Sequence, residues 1–565
     1  MSKIKGAVSG KKRRQFLCPQ RRALALALPA AGALSLVAVP AAHALQLYNG
    51  TNSGNNIQVN LDITASYSSF LRVNSPSAIL TSGTNNPNGN DGDANLRHGI
   101  VGNEFEVLPV LDIKDGNFGM HFSGEYFINT TYLGTTDNNQ QSTINPVLPK
   151  PDDFASETRQ ANGNNGRLLD AFVYDTFTFA NDQRITVKAG QQTLLWGQSL
   201  FYGTNGIAGG QAPIDTIAAE DLVNPQSQQI FLPVGQIVFT YQPDPTYTVQ
   251  GYYQYQWEQY SLQGVGSYFS TSDVTGPGAQ RIILPGGGYA FNTKALTPES
   301  QNGQFGLSAQ AQYGNYDFGL FTERFDSKTP VVATNIKVSL SPFSIGGNYY
   351  LIYPRDIWLY GTSLSTTIGA TNVAGEFSVR THMPLVTAGP QSVAVPGIIA
   401  PTPLGDANGN PAYPVGNTYT GLMSAIYGSP ALRLDPGGIT VTSEVEYVDL
   451  WRVTANPGLL APGRSNAAAA FDVQVEPAYF DVLPNLELQF PISVSYNFAG
   501  NSEVDSTMNH GTGQVTAGIQ ATYRSTWIAS LNYVDFFGKP GPALGPNVSQ
   551  SSDRGYVTFN VQHTF

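Results

Sequence analysis

The sequence predicts an all-β fold, a transmembrane antiparallel up-and-down β-barrel of about 18 strands with short periplasmic turns and long extracellular loops. Three observations carry this reading. The N-terminus has the layout of an export signal. The chain beyond it holds no apolar run long enough for a membrane-spanning helix. Its apolar residues recur at every second position over runs of about ten, the length a tilted strand needs to cross a bilayer.

Residues 1–44 read as an export signal peptide. Lys3, Lys5, Lys11, Lys12, Arg13, Arg14, Arg21 and Arg22 form a basic leader without an acidic residue. An apolar run from Ala23 to Ala41 follows and ends at Ala42-His43-Ala44, a small-x-small cleavage site. Pro29 and Pro40 interrupt the run, which argues against a retained helix. Lys12-Arg13-Arg14-Gln15-Phe16-Leu17 resembles a twin-arginine signal. An ordinary basic leader contains the same pair, and a barrel must cross the inner membrane unfolded, so the export route stays open. Cys18 lies upstream of the apolar run, away from any lipoprotein position.

Composition narrows the function classes. Cys18 is the single cysteine, so the mature chain has no disulfide framework, zinc-thiolate site or cysteine nucleophile. Removing the leader leaves 21 Lys+Arg against 40 Asp+Glu, a formal charge of −19. That balance excludes a nucleic-acid partner, which needs a basic face. Charged residues make up 12% of the chain, about half the usual soluble share of roughly 25%. Residues 45–565 show no shift in composition that would divide them. A barrel fits this profile, and so does a secreted β-solenoid or lectin, so the strands decide.

Ile57, Val59, Leu61, Ile63, Ala65 and Tyr67 alternate with Gln58, Asn60, Asp62, Thr64, Ser66 and Ser68. Ile439, Val441, Val445 and Tyr447 alternate with Thr440, Thr442, Glu444 and Glu446, and the 514–523 segment repeats the pattern. Such period-two runs put apolar side chains toward lipid and polar ones toward a lumen. Tight turns are expected at Asp115-Gly116, Asn181-Asp182, Pro243-Asp244-Pro245, Gly314-Asn315, Gly369-Ala370, Asp435-Pro436-Gly437-Gly438, Leu483-Pro484-Asn485 and Arg524-Ser525. They alternate with long polar loops at 73–98, 134–165, 196–232, 263–302, 327–353, 384–418, 452–468, 498–512 and 538–554. These connections join eighteen strands and return both termini to the periplasm. The strand assignment is weakest at 327–360 and 469–497, which leaves 14 or 16 strands open. Val557, Phe559, Val561, His563 and Phe565 share one face of the last strand, and Phe565 is the final residue. A terminal aromatic on such a strand resembles the signal read by the barrel-assembly machinery, with Phe559, Val561 and Phe565 as its candidate residues.

Several segments resemble a proteobacterial outer-membrane family classed as a domain of unknown function. They are GQQTLLWGQSLFYGTNGIAGGQAPIDT (190–216), LPVGQIVFTYQ (232–242), YYQYQWEQYSLQGVGSYFSTSDVTGPGAQRI (252–282), FGLFTERFDSKTP (318–330) and YPRDIWLYGTSLSTTIGATNVAGEFSVRTHMPLV (353–386). The resemblance implies a porin-like barrel in the outer membrane of a Gram-negative bacterium. It also implies the handling of hydrophobic compounds such as sterols, lipids and aromatics. It brings no functional residues with it.

The segment 196–232 is the main candidate for function. Trp196 opens it, Gly197, Gly203, Gly206, Gly209 and Gly210 follow, and Pro213 to Leu222 reads as a short helix stopped at Asn224-Pro225. A Gly-rich, partly helical segment of this length can fold into the lumen and narrow it, and Asp215, Glu220 and Asp221 would make that constriction acidic. The alternative is an external loop. The glycines are not a phosphate loop, because its lysine is missing. Glu444 and Glu446 share one strand face and line the lumen. Arg281 and Arg324 are candidates for the opposing charges of an eyelet, with Lys328, Arg355 and Arg380 nearby in sequence, and solvated loop positions would explain them equally. Tyr252, Tyr253, Tyr255, Trp257 and Tyr260 read as part of an interfacial aromatic girdle, with sugar stacking as the alternative. No histidines stand at metal-ligand spacing, no G-x-S-x-G occurs, and no cofactor or catalytic residue is expected. The partners expected are outer-membrane lipid, the assembly machinery and a small-molecule solute. The functions left open are passage of hydrophobic or amphipathic solutes, a general or sugar-type porin, and a barrel-embedded hydrolase.

Overall fold

The computed structural model describes residues 45–50, 56–293, 295, 303–389, 391–401, 404, 410–430 and 437–565. The export signal and the Asp435-Pro436 part of one turn lie outside the described residues. Eighteen antiparallel strands close into a barrel. They are β1 (Ile57–Arg72), β2 (Gly99–Asp115), β3 (Phe118–Asn129), β4 (Asn164–Thr178), β5 (Arg184–Gln192), β6 (Val234–Gln242), β7 (Tyr247–Gln254), β8 (Gln304–Tyr313) and β9 (Tyr316–Phe325). There follow β10 (Ile357–Ile368), β11 (Thr371–Pro384), β12 (Val415–Gly428), β13 (Ile439–Ala455), β14 (Ala467–Leu483), β15 (Leu486–Gln489 and Ile492–Ala499), β16 (Gly513–Tyr523), β17 (Trp527–Phe537) and β18 (Tyr556–Thr564). The short and long connections alternate as the sequence predicts. Arg524 (φ 52°) and Ser525 (φ 58°) are both left-handed, as a two-residue hairpin turn requires.

Alternation sorts the side chains. On β13, Glu444, Glu446, Val448 and Leu450 are buried, while Val445, Tyr447 and Trp451 between them are exposed. Leu320 (64% exposed), Met423 (66%) and Trp451 (67%) would be costly on a water-facing wall; facing hydrocarbon, they are the lipid contact. The closed, apolar-faced barrel is an outer-membrane protein.

The ring closes where β18 pairs with β1, from Thr64↔Thr564 to Arg72↔Tyr556. β18 is shorter than β1, and a short strand, Leu45–Asn49, pairs with the remainder from Leu45↔Leu61 to Asn49↔Gln58. The Phe565 N–H donates to the Ile63 carbonyl at 3.0 Å, in line with that ladder. At the extracellular end, fully buried Arg554 donates to both Asp93 oxygens (3.2 and 2.9 Å), and Arg72 donates to the same carboxylate at 3.3 Å. The seam is thus tied to loop 73–98 by buried charges that have partners.

One loop holds more structure than expected. Segment 327–353 contains a hairpin, Val331–Leu340 and Phe343–Ile352, joined by Gln391–Ala394, Tyr289–Asn292 and Arg281–Ile283 into a separate five-stranded sheet. Val331, Val332, Ile336 and Val338 give it strand character, which is why this region blurred the count in the sequence. It sits between β9 and β10 without joining the wall, so the barrel keeps eighteen strands and not 14 or 16.

Closed barrels resist detergent because no edge strand is free to open. The purified mature protein is expected to run faster unheated than boiled on detergent gels, and identical migration would contradict a closed wall. With Phe559 and Val561 on the outward face of β18 and exposed Phe565 just beyond its end, deleting Phe565 should lower outer-membrane levels on immunoblots. Unchanged levels would make the terminal aromatic incidental.

Candidate functional site in the barrel lumen

The connection 193–233 between β5 and β6 runs against the inward face of much of the wall. Its seats are carboxylates at the polar positions of strands. Glu444 of β13 accepts from the backbone N–H groups of Leu200 (3.0 Å), Phe201 (2.6 Å) and Tyr202 (2.9 Å) and from the Ser199 hydroxyl (3.2 Å). Glu376 of β11 accepts from the N–H of Gln198 (2.6 Å) and Ile207 (2.9 Å). A Cβ at Gly197 or Gly206 would collide with the Glu376 carboxylate, so these glycines are what allow the backbone to approach it. On the other side of the segment, buried Arg380 donates to the carbonyls of Thr204 (3.1 Å) and Gly206 (2.5 Å), and Lys328 to Gly210 at 2.8 Å. Burial pushes the Lys328 amine down to about 8, with Glu323 and Asp326 pulling the other way.

Trp196 anchors the start of the segment. Its indole N–H donates to Gln250 at 2.6 Å, and its ring meets Tyr252 edge-on with centroids 5.1 Å apart. The ring also lies 5.8 Å from Phe321. Further on, the helix spans Thr216–Asp221, starting later than Pro213 because Asp215 is its N-cap. The Asp215 carboxylate accepts from Ile217 N (2.8 Å) and Ala218 N (3.0 Å). It also pairs with Arg167 of β4, which pairs with Glu125 of β3. Gln229 donates to Glu106 of β2 and to Glu125, the latter at 3.1 Å. Glu220 accepts from Gln263 (2.8 Å) and Asp221 from Asn162 (3.1 Å). Burial raises the Glu220 carboxyl well above the usual carboxylate range, with the Asp221 charge adding to it. Burial pushes Asp221 up to about 7 against the hydrogen bonds from Asn162 and Gln263.

The sequence candidates therefore divide. Trp196, Asp215, Glu220, Asp221 and Glu444 lie on or against the same segment, with Glu446 beside them on β13. Arg281 is elsewhere, in the extracellular sheet, donating to the Ile144 carbonyl (2.8 Å) and lying over the Tyr289 ring. Arg324 takes the outward parity of β9 at the rim, paired with Asp356 and donating to the Gly303 carbonyl at 2.6 Å. The basic partners inside are Arg167, Arg380 and Lys328. Arg167, Glu106, Glu125 and Glu376 were not among the candidates, although each is a charged residue within a strand, Arg167 near the start of β4 and the three glutamates near mid-strand. Of the aromatic run, Tyr253 and Tyr255 are exposed, whereas Tyr252 faces in and Trp257 packs edge-on to Tyr353.

The pinned segment leaves a cavity of about 360 Å³ against β13, β15, β16 and β17, beneath loops 500–512 and 538–555. Hydroxyl and amide side chains such as Ser270, Thr275, Ser495 and Gln514 line it together with Tyr202, Phe269, Met508 and Phe536. A smaller cavity of about 60 Å³ continues along the wall at Pro491, Ser493, Thr516, Asn532 and Thr558. Glu220 lines both, so it stands at the junction between them. Among the described residues no group of three or more His, Cys, Asp or Glu is arranged for a metal ion. His121 of β3 is oriented by Asp112 (3.0 Å), but its other nitrogen faces Asp170 at 3.9 Å and not a hydroxyl.

Among solved structures, the chain is similar to a BenF-like porin from Pseudomonas fluorescens Pf-5, with a TM-score of 0.41 and 12% identity over 90% of this chain and 98% of that one. It is also similar to OccAB3 of Acinetobacter baumannii, with a TM-score of 0.40 and 9% identity over 90% and 99% of the two chains. OccK2 (OpdF) of Pseudomonas aeruginosa, solved in complex with glucuronate, gives 0.39 and 11% over 90% and 97%. No curated protein matches the sequence. The family model described as "Protein of unknown function (DUF1302)" matches residues 25–565. The chain belongs to the DUF1302 family.

Proposed function

We propose that this protein is an outer-membrane channel for small solutes, of hydrophobic or amphipathic kind (lipid, sterol or aromatic type). The observation that carries the reading is the pinned segment 193–233, which lies against the inward face of the wall and leaves cavities of about 360 and 60 Å³ along β13 and β15–β18. A passage lined by aromatic rings on one hand and by hydroxyls and amides on the other suits a solute with both characters. The carboxylates on and beside the segment, Asp215, Glu220, Asp221, Glu444 and Glu446, make the constriction acidic, with Trp196 as its anchor. Asp215 is matched by Arg167, so among these carboxylates the charge bordering the two cavities rests on Glu220 and Glu446, with Asp221 next to Glu220 on the helix. A general or sugar-type porin is the second reading, favoured by the polar share of that lining. A hydrolase has no support from the surroundings of His121.

Removing residues 203–224 takes away the constriction and leaves the strands paired. Single-channel conductance in planar bilayers should rise several-fold (roughly as the freed cross-section), and large polar antibiotics should enter cells more readily. A folded deletion variant with unchanged conductance would show the segment to be peripheral to the passage.

Fixed carboxylates in a narrow passage concentrate cations. Neutralising Asp215, Glu220 and Asp221 together to Asn, Gln and Asn should lower the cation-to-anion permeability ratio measured from reversal potentials. The pH dependence has a definite sign. Asp221, raised to about 7, is neutral below that pH and charged above it, so cation preference should grow as pH climbs from 6 to 8. In Asp221→Asn that growth should be reduced, with Glu220 still titrating beside it; a pH response equal to that of the wild type would remove Asp221 from the charge that selects cations.

A further inference from the structure

The carboxylates around the pinned segment are not equally provided for. Glu444 and Glu376 are filled by backbone N–H groups, as described above. Asp505, in loop 500–512, accepts from the Asn205 amide (2.7 Å) and from the Thr507 N–H (2.8 Å) and hydroxyl (2.7 Å). Glu220 accepts from Gln263. Glu446 differs. It is 1% exposed, it lines the 360 Å³ cavity, and neither of its oxygens has a well-aligned donor, the Asn205 amide beside it being shared with Asp505. The Asn205 amide alongside is turned to Asp505, and Arg380 directs its Nη2 to the carbonyls of Thr204 and Gly206. An ionised carboxylate left without a well-aligned donor in such a place is costly. A ligand that brings the donor removes that cost.

The lining says what kind of donor. Its charged members are Glu220, Glu446 and Asp505, with no Lys, Arg or His among the described residues that form it. Tyr202, Phe269 and Phe536 supply an aromatic side within the same cavity. The space is at the lower end of ligand sites, about 300–1,000 Å³, and an order of magnitude above the roughly 30 Å³ share of one water. It is therefore too roomy for a bare metal ion. A primary ammonium offers three donors to a carboxylate, and aromatic faces attract cations and stack on rings.

We propose that this cavity is a binding site for a small organic ammonium ion with an aromatic or apolar body, its amino group on Glu446 and its body against Tyr202, Phe269 and Phe536. The proposal rests on the channel reading for its biological sense, and it names the class of amphipathic solute that the passage takes up.

Calorimetric titration of the detergent-purified full-length mature protein with phenethylammonium chloride tests it. Isosteric 2-phenylethanol and phenylacetate, and KCl alone, serve as comparison probes. Phenethylammonium should bind at least about tenfold more tightly than the neutral and anionic probes, and Glu446→Gln should weaken it by at least about tenfold, since hydrogen bonds to charged groups are worth that much. Heat-modifiable migration checks that the variant is folded. Should it not fold, Glu446→Asp, which keeps the charge and retracts it, should still weaken binding several-fold. Equal binding of the three probes, saturation by KCl alone, or an unchanged affinity in either folded variant overturns the assignment. Conductance of the wild type without any amine, measured in parallel, separates the two readings. A barrel that conducts but does not bind phenethylammonium refutes this site only, and one that binds but does not conduct refutes the channel.

Discussion

Everything in this molecule depends on the pairing of β1 with β18. A strand inside hydrocarbon has no water to satisfy its N–H and C=O groups, and each unpaired group costs several kcal/mol. An eighteen-strand sheet is therefore stable in a bilayer only when its two edges meet. Here the edges are unequal, and Leu45–Asn49 completes the ladder that the shorter β18 leaves open. The buried Arg554–Asp93–Arg72 group binds the opposite end of the seam to the loops above it. Once the ring is closed, the alternation of each strand becomes a division of space: lipid outside, and inside a cylinder whose polar side chains face one another.

That interior is organised by carboxylates in the wall. A polar cylinder of this width could simply hold water. In this protein Glu444, Glu376, Glu106 and Glu125 instead take up the N–H and amide donors of one connection, and Arg167, Arg380 and Lys328 hold its carboxylates and carbonyls. Replacing one such carboxylate by an apolar residue would leave buried donors unsatisfied, at about 1–3 kcal/mol each. The segment is held from several strands at once, and the larger cavities lie where the hydrogen bonding leaves off, along β13 and β15–β18. The acidity of the interior and the fixation of the segment thus have a common origin in one set of side chains.

The wall was legible in the sequence because period-two alternation and turn residues are local properties. Arg524-Ser525, Asn181-Asp182 and Gly314-Asn315 each stand where a hairpin reverses, and the long loops fall between them. The hairpin at 331–352 blurred the count because its Val and Ile residues have strand character without a clear alternation; its place in a separate sheet between β9 and β10 distinguishes it. The interior was less legible. On β9, Phe321 and Phe325 face inward with Glu323, and Leu320 and Arg324 face outward, so both faces carry apolar residues and the parity of Arg324 is ambiguous. The inward phenylalanines are explained by Trp196 and its neighbours, which arrive from β5. Contacts across a lumen join residues separated by half the chain, as Glu444 and Phe201 are, and nothing local in either stretch announces the other. The glycines of 197–210 were visible, and their cause was not: they let a backbone come within hydrogen-bonding distance of Glu376.

The way Glu444 holds the segment has a consequence for how such a protein can change over generations. Three of the four donors it receives are main-chain N–H groups, which every residue except proline supplies. The wall thus recognises the course of the segment and is indifferent to most of its side chains. Residues such as Leu200, Tyr202 and Asn205 can be exchanged one at a time while the seat is kept, whereas a change at Glu444 or Glu376 leaves several main-chain donors without a partner at once. A barrel built in this manner can acquire a differently lined interior by drift in one connection, with its membrane-embedded part left as it was.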